Sequence, residues 1–553
     1  MKQARKARAL RRCIQTGSLA LFLYLLLVTV WPLAATWLPQ DFFLRMDPLA
    51  ATLVPVTVRA WTDTLLPGVA VIISAVVFGR IFCGYICPMG VTLDAANWLL
   101  GKLFGRPDTA RRVSLSPRWR QAKYLILGAV SVGAILGVNV FFWGSPIALV
   151  TRFYALLVHP LLLLAGFFTL STGQSVFAAL DFPGLAYATL TPRRFETIGF
   201  VLVFFILLFA LERVRPRFWC RYLCPAGAIM ALVSLRPLWR RGTASCSGCD
   251  ACVKQCPTGA ILPKGLDCRH AECITCRACE DVCPVAGVTF SFRKTVEKQT
   301  EGTPTDRRAF LPSRRAFLGA AGAGTLLAGV QYSGGRNLLV PGGLGNPRPS
   351  DLVRPPGAVP EPDFLDRCIR CGQCMKVCPT NGLQPVWFLS GVEGMFSPVL
   401  LARRGPCEPG CNACGRVCPT GAITALALEE KQWAKIGTAT VLQHRCLAWA
   451  ESRRCMVCQE VCPFGSVRIV HRDGQAVPVP VVDAMRCFGC GYCEYHCPTA
   501  APAIRVESLS ALRLGDAKYK QTAERLGYIL EPGTHGHIQD DVDDGELPPG
   551  FTP

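Results

Sequence analysis

Cysteine is the residue whose number and spacing in this chain point to chemistry. The 553 residues include 30 cysteines, and 24 of them form six sets of four in which the last cysteine precedes a proline. Four sets have the spacing C-x2-C-x2-C-x3-C-P, which is typical of thiolate ligands to 4Fe-4S clusters. Structural zinc sites pair two C-x2-C knuckles across a longer gap and need no third cysteine in the run. The spacing therefore predicts six 4Fe-4S clusters rather than a zinc-stabilised scaffold.

The first two sets lie within residues 241–295, which we call the first module. In such repeats the fourth cysteine of one set ligates the cluster of the other set. Two cysteines, Cys13 and Cys268, fall outside every motif, and we expect them to be structural. The predicted ligands are Cys246, Cys249, Cys252 and Cys283 for one cluster, and Cys273, Cys276, Cys279 and Cys256 for the other.

The other four sets lie within residues 367–510, which we call the second module. Its first and last sets keep the regular spacing, whereas the second opens with C-x3-C and the third with C-x8-C, which makes the third the least regular. Fourth ligands could be exchanged sequentially, first set with second and third with fourth, or in a nested order, and the spacing does not choose. The four sets are Cys368, Cys371, Cys374 and Cys378; Cys407, Cys411, Cys414 and Cys418; Cys446, Cys455, Cys458 and Cys462; and Cys487, Cys490, Cys493 and Cys497.

These modules must be positioned by a long apolar region, residues 1–240. With 51% hydrophobic residues and a mean hydropathy of +0.31, the chain is expected to have a membrane domain. Its net charge of +21 does not indicate a nucleic-acid partner, because the basic residues gather beside apolar segments. Hydropathy predicts four spans, at residues 13–38, 65–82, 124–143 and 197–211, with both flanks in the cytoplasm. Residues 145–190, interrupted by prolines, are expected to be periplasmic or re-entrant.

Two further cysteine pairs end the second and fourth predicted spans. Each has the spacing C-x3-C-P with a glycine two residues after the proline, and the four cysteines are Cys83, Cys87, Cys220 and Cys224. Cysteines four apart face one side of a helical turn, so the pairs could hold a metal, undergo thiol chemistry or line a quinone pocket. The spacing leaves their role in catalysis open. Haem is not expected, because His159 is the only histidine of this region and no C-x2-C-H motif occurs.

An export signal stands between the two modules, within residues 296–332. The sequence SRRAFLGAAGAGTLLAGV matches the twin-arginine pattern at Ser313, Arg314, Arg315, Phe317 and Leu318. The helix that follows is expected to be a fifth span, which would send the later residues to the periplasm. Residues 333–366 form a Gly/Pro-rich linker, and the tail at residues 511–553 ends in an acidic stretch expected to be disordered.

In these motifs the chain resembles a fusion of two known partners. Residues 1 to about 295 resemble the NapH and MauN type of membrane ferredoxin, on the four predicted spans, the two C-x3-C-P pairs and the two-cluster module. Residues from about 306 resemble the NapG and MauM type of exported polyferredoxin, on the twin-arginine signal, the RPPGA stretch at 354–358 and the four cysteine sets. The resemblance implies a quinol dehydrogenase that passes electrons from membrane quinol to a periplasmic acceptor of a nitrate-reductase or methylamine-oxidising system.

The predicted fold is therefore an α-helical membrane domain joined to two α+β ferredoxin modules of the bacterial type. We expect a multi-pass protein of the bacterial inner membrane, with a cytoplasmic N-terminus and a periplasmic second module. The leading hypothesis is electron transfer from quinol to a periplasmic reductase or cytochrome, as an electron carrier or as a quinol dehydrogenase component. The alternative is a maturation factor that reduces a metal or thiol for a periplasmic metalloenzyme. No cofactor ligand evident in the sequence bridges the roughly 30 Å hydrocarbon core between the modules.

Overall fold

A bundle of helices separates the two cysteine-rich modules. The computed structural model describes residues 2–105, 117–139, 144–179, 190–263, 265–292, 312–332, 352–387 and 394–530, with positions 181, 182, 184 and 187. Residues 296–311, most of the predicted Gly/Pro linker and the acidic end of the tail lie outside this described part.

Helices account for most of the regular structure. The bundle comprises α1 Lys2–Leu27, α2 Phe42–Arg45, α3 Pro48–Val58, α4 Leu66–Phe78, α5 Ile81–Tyr85, α6 Pro88–Leu103, α7 Ala122–Ile135, α8 Pro146–Arg152, α9 His159–Ala179, α10 Ile198–Val214 and α11 Pro225–Val233. The later helices are α12 Ala251–Gln255, α13 Ala278–Asp281, α14 Arg314–Tyr332, α15 Glu361–Arg367, α16 Gln373–Val377, α17 Ala413–Arg416, α18 Leu428–Gln432, α19 Leu447–Ala450, α20 Val457–Glu460, α21 Tyr492–Tyr495 and α22 Tyr519–Arg525.

Fewer helices than the four predicted spans are long and apolar enough to cross a membrane. In the described part of the chain Lys6–Leu27 and Pro146–Ser175 meet this requirement, and Asp63–Phe78 with Ile81–Leu103, bent by 99°, would add a third if the pair is one span. The predicted third and fourth spans correspond to α7 and α10, which have 14 and 17 residues. Both are shorter than the roughly 20 residues that a bilayer requires, so four spans are not confirmed.

The segment after Ser145, which was expected to be periplasmic or re-entrant, is long and apolar enough to cross a membrane. It is a continuous helix over Pro146–Ser175, one of the two candidate spans. Pro146 occupies the first turn, where no backbone N–H is needed, and the hydroxyl of Ser145 accepts the N–H of Ala148 at 3.1 Å. A π-helical segment, Phe153–Val158, precedes Pro160 and accommodates the hydrogen bond that proline cannot make. The prolines therefore shape this helix without ending it.

Each module contains short two-stranded antiparallel sheets. In the first module β1, Trp239–Thr243, pairs with β2, Val288–Phe292. The second module contains β3 Leu383–Pro385 paired with β4 Pro398–Leu400, β5 Thr438–Val441 paired with β8 Ile504–Glu507, and β6 Val467–Val470 paired with β7 Val479–Val482.

The two modules contact opposite ends of the same helices. At the start of α1, Arg8 forms an ion pair with Asp281 of the first module. Just beyond the end of α1, the backbone carbonyl of Thr29 accepts a hydrogen bond from Lys376 of the second module at 2.9 Å. At 1.5 Å rise per residue these two contacts lie roughly 30 Å apart along the helix axis. The bundle thus holds one module at each end.

The predicted twin-arginine segment is the helix α14, which packs along α7. A Cβ atom built on Gly324 would lie 2.4 Å from the carbonyl oxygen of Ala129, and one built on Gly128 would lie 3.7 Å from the ring of Phe317. Glycine at position 324 lets the two backbones approach closely, as small residues do between membrane helices, whereas a Cβ atom at position 128 would make an ordinary contact. This helix is not among the candidate spans, so the expected fifth span is not confirmed.

Candidate metal centres

The first module contains two cavities lined by cysteines. One lies among Cys246, Cys249, Cys252 and Cys283. The other lies among Cys256, Cys273, Cys276 and Cys279, with Cys268 also in its lining. The structure therefore groups the same cysteines that the spacing predicts, with the two fourth cysteines exchanged.

The second module exchanges its fourth cysteines sequentially, which selects one of the two orders left open by the spacing. One cavity is lined by the first three cysteines of set one with the last of set two, and a second by the reverse combination. A third is lined by the first three cysteines of set three with the last of set four. The cavities contain Cys368, Cys371, Cys374 and Cys418; Cys378, Cys407, Cys411 and Cys414; and Cys446, Cys455, Cys458 and Cys497.

The remaining group of the second module consists of Cys487, Cys490, Cys493 and Cys462, whose thiols interact electrostatically with one another. Contacts between groups then give their spatial order. Cys374 interacts with Cys414, the backbone N–H of Cys407 donates to the carbonyl of Cys490 at 2.7 Å, and Cys493 interacts with Cys458. The groups opened by Cys368, Cys407, Cys487 and Cys446 therefore follow one another in that order.

Backbone geometry explains how the regular spacing brings three thiols together. In each regular set the residues on either side of the second cysteine have positive φ, as at Arg370 (50°) and Gly372 (84°). The same geometry occurs at Thr275 and Arg277, at Gly489 and Gly491, and at Gly248 and Asp250. In the two irregular sets the residue after the second cysteine, Asn412 or Met456, has φ of −122° or −123°. In these two sets the longer segment between the first and second cysteines takes the place of the left-handed residue after the second cysteine.

Non-glycine residues in this left-handed region carry a cost of about 1–2 kcal/mol each, which the surrounding structure must offset. The glycines at half of these positions are the signal that sequence inspection could have used.

Burial makes most of these cysteines poor thiolates without a metal. Burial raises the pKa of Cys371 and of Cys458 to about 12, and the pKa of Cys276 to about 11. A buried thiol gives up its proton when a metal cation compensates the charge, so cluster binding and deprotonation are coupled. These sites therefore fit a thiolate-bound cluster.

Cys268 is a cysteine of the first module that its spacing did not assign. It lines the same cavity as Cys273, and its side chain hydrogen-bonds to the thiol of Cys273, which raises the pKa of Cys273. The position adjoins a ligand without belonging to any motif, so no spacing rule could have found it. Cys13, the other unassigned cysteine, is exposed on α1.

The structure brings the two C-x3-C-P pairs together in the bundle. In each pair the proline opens a helix, α6 or α11, so that Cys87 and Cys224 become the N-cap residues. Cys87 interacts electrostatically with all three of the other cysteines, Cys83, Cys220 and Cys224. Sequence spacing showed two separate pairs, whereas the fold makes one group of four.

Among the described residues, no group of three or more His, Cys, Asp or Glu is arranged to hold a single metal ion. This applies equally to the cysteine sets of both modules. Ligands of a cubane surround a four-iron core and stand further apart than the ligands of one ion.

Comparisons with known families show 4Fe-4S domains in both modules and in the bundle. Models described as 4Fe-4S binding domain match residues 62–107, 197–242 and 364–384, and models described as 4Fe-4S dicluster domain match residues 238–295, 406–466 and 452–501. The predicted ferredoxin-type domains are thus confirmed. No solved structure matches the chain.

Similar proteins are described as ferredoxin-type. The methylamine utilization ferredoxin-type protein MauM of Paracoccus denitrificans is 34% identical over 211 residues, which cover 37% of this chain and 91% of that protein. The ferredoxin-type protein NapG of Escherichia coli is 38% identical over 168 residues, 29% of this chain and 71% of that protein. YccM of Escherichia coli, a putative electron transport protein by its description, is 32% identical over 266 residues, 47% of this chain and 63% of that protein.

Proposed function

Because the chain belongs to the family of ferredoxin-type proteins that includes MauM and NapG, we propose that it carries electrons from membrane quinol to a periplasmic redox acceptor. Six 4Fe-4S clusters, two in the first module and four in the second, would carry the electrons. Oxidation of one quinol releases two protons and two electrons, so it reduces two clusters by one electron each. In this proposal the bundle and the first module correspond to a NapH or MauN type of component fused to the polyferredoxin.

The observation that carries the proposal is the position of two iron-sulfur modules at opposite ends of one apolar bundle. The first module contacts the end that contains Arg8 and Arg120, and the side chain of Arg120 donates to the carbonyl of Gly259 at 2.7 Å. The second module contacts the end that contains Thr64, whose hydroxyl donates to the carbonyl of Pro419 at 2.6 Å. A bundle with this arrangement can expose one module to each side of a membrane.

The distribution of basic residues supports one orientation of the bundle across the membrane. Lys and Arg are concentrated in the first twelve residues of the chain and again in residues 102–120. Of these, Arg8 and Arg120 contact the first module. An excess of Lys and Arg marks the cytoplasmic side of a membrane protein. The first module would accordingly lie in the cytoplasm and the second in the periplasm of a bacterial inner-membrane protein.

The order of cysteine groups supports an outward path through the second module. The group opened by Cys368 lies against the bundle, because Cys371 packs in the same apolar core as α6 and α11 and the carbonyl of Cys368 accepts a hydrogen bond from Asn139 at 3.4 Å. The group opened by Cys446 lies at the other end of the series. Electrons entering beside the bundle would pass through four clusters to a periplasmic acceptor.

The experiment that tests this function is stopped-flow reduction of the full-length protein, purified in lipid nanodiscs, by menadiol. The expected result is bleaching of the visible iron-sulfur absorbance, with dithionite setting the full amplitude. A chain whose clusters stay oxidised with menadiol while dithionite reduces them would overturn the proposal. Such a result would favour the maturation role, in which another reductant supplies the electrons.

A further inference from the structure

The two membrane cysteine pairs belong to a longer repeated motif. Residues 80–90 and 217–227 share the pattern R-x2-C-x3-C-P-x-G, which begins at Arg80 and Arg217 and ends at Gly90 and Gly227. The same family model, described as a 4Fe-4S binding domain, matches the segments around both copies. Each matched segment contains only two cysteines. One segment alone therefore cannot supply four thiolates to a cluster.

The two copies of the motif interlock through their arginines. A Cβ atom built on Gly227 would lie 2.6 Å from Nη2 of Arg80, and a Cβ atom built on Gly90 would lie 3.4 Å from Nη1 of Arg217. Nη1 of Arg217 also donates to the carbonyl of Cys83 at 2.9 Å. Each arginine thus crosses to the other copy and occupies the space that its glycine leaves open. The contacts between the two copies are therefore reciprocal.

Three of the four thiols interact with these two cations. Arg80 interacts electrostatically with Cys83 and Cys224, and Arg217 with Cys220. Both arginine side chains are 1% exposed, so water does not screen their charges. Two buried cations beside four cysteines suit an anionic group, and a cubane with four thiolates carries net negative charge. Arg80 pairs with Glu272 and Arg217 with Asp94, but Glu272 is shared with Lys123. Three buried cations therefore face two carboxylates, which leaves one positive charge for an anionic group.

Buried donors at the same place have no acceptor within the protein. In the described part of the chain, Nε of Arg80 and Nε1 of Trp219 are buried and make no hydrogen bond. Buried N–H groups normally find an acceptor, and an exception calls for an explanation such as an unseen ion. Trp219 directly precedes Cys220, so sulfur atoms of a bound cluster would be acceptors of the right kind. Hydrogen bonds to the sulfurs also tune the potential of such clusters.

We propose that Cys83, Cys87, Cys220 and Cys224 together ligate one 4Fe-4S cluster, a seventh beside the six of the two modules. The cluster accepts one electron, passing from the 2+ to the 1+ state, and returns to the 2+ state when it reduces a neighbouring cluster. No bond is made or broken and no proton is needed. The site is distinct from the thiol chemistry or quinone pocket that the isolated pairs suggested.

Neighbouring contacts place this site between the two modules. On one side Gly84, next to Cys83, packs on Ile274 of the first module, and the hydroxyl of Tyr85 donates to the carbonyl of Thr275 at 3.2 Å. Ile274 and Thr275 lie between two cysteines of the group opened by Cys273. The site therefore adjoins the cysteine group of the first module that is opened by Cys273.

On the other side α6, which starts beside Cys87, leads toward the second module. The hydroxyl of Thr92 hydrogen-bonds with the hydroxyl of Tyr154 at 3.1 Å. Two residues further, Leu156 contacts Gly372, which lies between Cys371 and Cys374; a Cβ atom on Gly372 would be 3.3 Å from the leucine. The proposed cluster thus shortens the gap between the modules for which the sequence offered no evident ligand.

Metal analysis of the full-length protein tests the site, and it requires no quinol. We expect Cys83→Ala and Cys220→Ala each to lower iron and acid-labile sulfide by about four per chain, out of about 28. Because one cluster uses both copies, the double variant should lose about four as well, not eight. Cys13→Ala, at an exposed cysteine on α1, is the matched control and should lose none.

Electron paramagnetic resonance of the dithionite-reduced variants separates loss of this site from misfolding, because the signals of the six module clusters should persist. Unchanged iron in both single variants would overturn the proposal, as would additive loss in the double variant or loss of zinc instead of iron. A chain that has all seven clusters but is not reduced by menadiol would leave this inference standing and overturn only the quinol function.

Discussion

The two modules are attached to the bundle by different chemistry. The first module is held by Glu272, whose carboxylate accepts hydrogen bonds from Arg80 at 2.8 Å, Lys123 at 2.6 Å and Tyr124 at 3.0 Å. The side chains of Arg80, Lys123 and Glu272 are 1%, 0% and 3% exposed. One buried carboxylate therefore pairs with two buried cations from different parts of the bundle.

The second module is held by many smaller contacts. Gln373 donates to the carbonyl of Gln40 at 2.9 Å, and Lys376 donates to that of Thr29 at 2.9 Å. Aromatic rings add to this interface, with Trp387 packed edge-on against Phe200 at 4.9 Å between centroids. No single residue among those described carries the attachment as Glu272 does at the other end.

The two interfaces should respond differently to single substitutions. Removing one partner of a buried ion pair leaves an uncompensated charge, which costs about 3–5 kcal/mol, whereas one hydrogen bond to a charged group contributes about 1.5–3 kcal/mol. A single substitution should therefore disrupt the interface of the first module, whereas each single substitution in the interface of the second module should cost less.

The largest effect is expected for Glu272→Ala. It leaves Arg80 and Lys123 buried without their carboxylate and should destabilise the full chain by about 3–5 kcal/mol. Thermal unfolding in nanodiscs, followed with limited proteolysis of the first module, measures the loss. The control is Glu280→Ala, which removes a partly exposed pair with Arg277 and should cost less than about 1 kcal/mol. Equal effects of the two variants would refute the special role of Glu272.

Low pH should act on the same end of the molecule. Burial raises the pKa of Glu272, but the charges of Lys123 and Arg80 outweigh burial, so the pKa lies below its usual 4.5. A carboxyl group whose pKa is lower in the folded state than in the unfolded state stabilises the fold at pH values above its unfolded pKa. This contribution is lost as the pH falls through the folded pKa. The free energy of unfolding should fall between pH 7 and pH 3 in the native chain, and it should fall less in Glu272→Gln. Identical acid profiles would contradict this assignment.

A smaller effect is expected from Lys376→Met in the second interface. The substitution removes a buried ammonium and leaves the carbonyl of Thr29 without this donor, at a cost of about 1.5–3 kcal/mol. Thermal unfolding of the full chain should show a smaller shift than that of Glu272→Ala. A larger shift would reverse the comparison between the two ends.

The helix α14, which contains the predicted twin-arginine motif, offers a third attachment of comparable size. Gly324→Leu places a side chain against the carbonyl of Ala129 and should cost about 1–3 kcal/mol by overpacking, whereas nothing lies within 4 Å of a Cβ atom on Gly319. Gly319→Leu is therefore the matched control for thermal unfolding. If the helix packs on α7 in the mature protein, an immunoblot of membranes should also show one chain of 60.1 kDa. Two fragments would show that the segment is cleaved.

The smallest effect is expected from Arg404→Ala at the rim of the second interface. Arg404 and Glu196 are 3.6 Å apart and both about 45% exposed, so solvent screens their attraction. The loss should lie within about 0.2–1 kcal/mol and should shrink further in high salt. A loss in thermal unfolding as large as that of Lys376→Met would mean that this interface too depends on single ion pairs.

Local features were predictable from sequence, and features made by long-range packing were not. The C-x2-C-x2-C-x3-C-P spacing indicated which cysteines of the first module share a cavity, because only a short segment, from Cys256 to Cys273, separates the two sets. Spacing could not select the exchange order in the second module, because that order depends on how the four sets pack.

The helix after Ser145 and the meeting of the two C-x3-C-P pairs escaped sequence reasoning for physical reasons. Prolines normally interrupt helices, and only the π-helical segment before Pro160 shows how this helix continues. Cys87 and Cys224 are far apart in the sequence and meet only because α6 and α11 pack in one core. Motif inspection treats each pair separately and cannot detect such a junction.

Electrons should cross the bundle from one module to the other through the four-cysteine site. This path can be tested in quinone-free liposomes that contain the full-length protein, with cytochrome c trapped inside and dithionite added outside. The native chain and Cys13→Ala should reduce the trapped cytochrome c, and the double variant Cys83→Ala and Cys220→Ala should not. Reduction that requires added quinone in the native chain would refute this path, because the quinone and not the protein would then carry the charge.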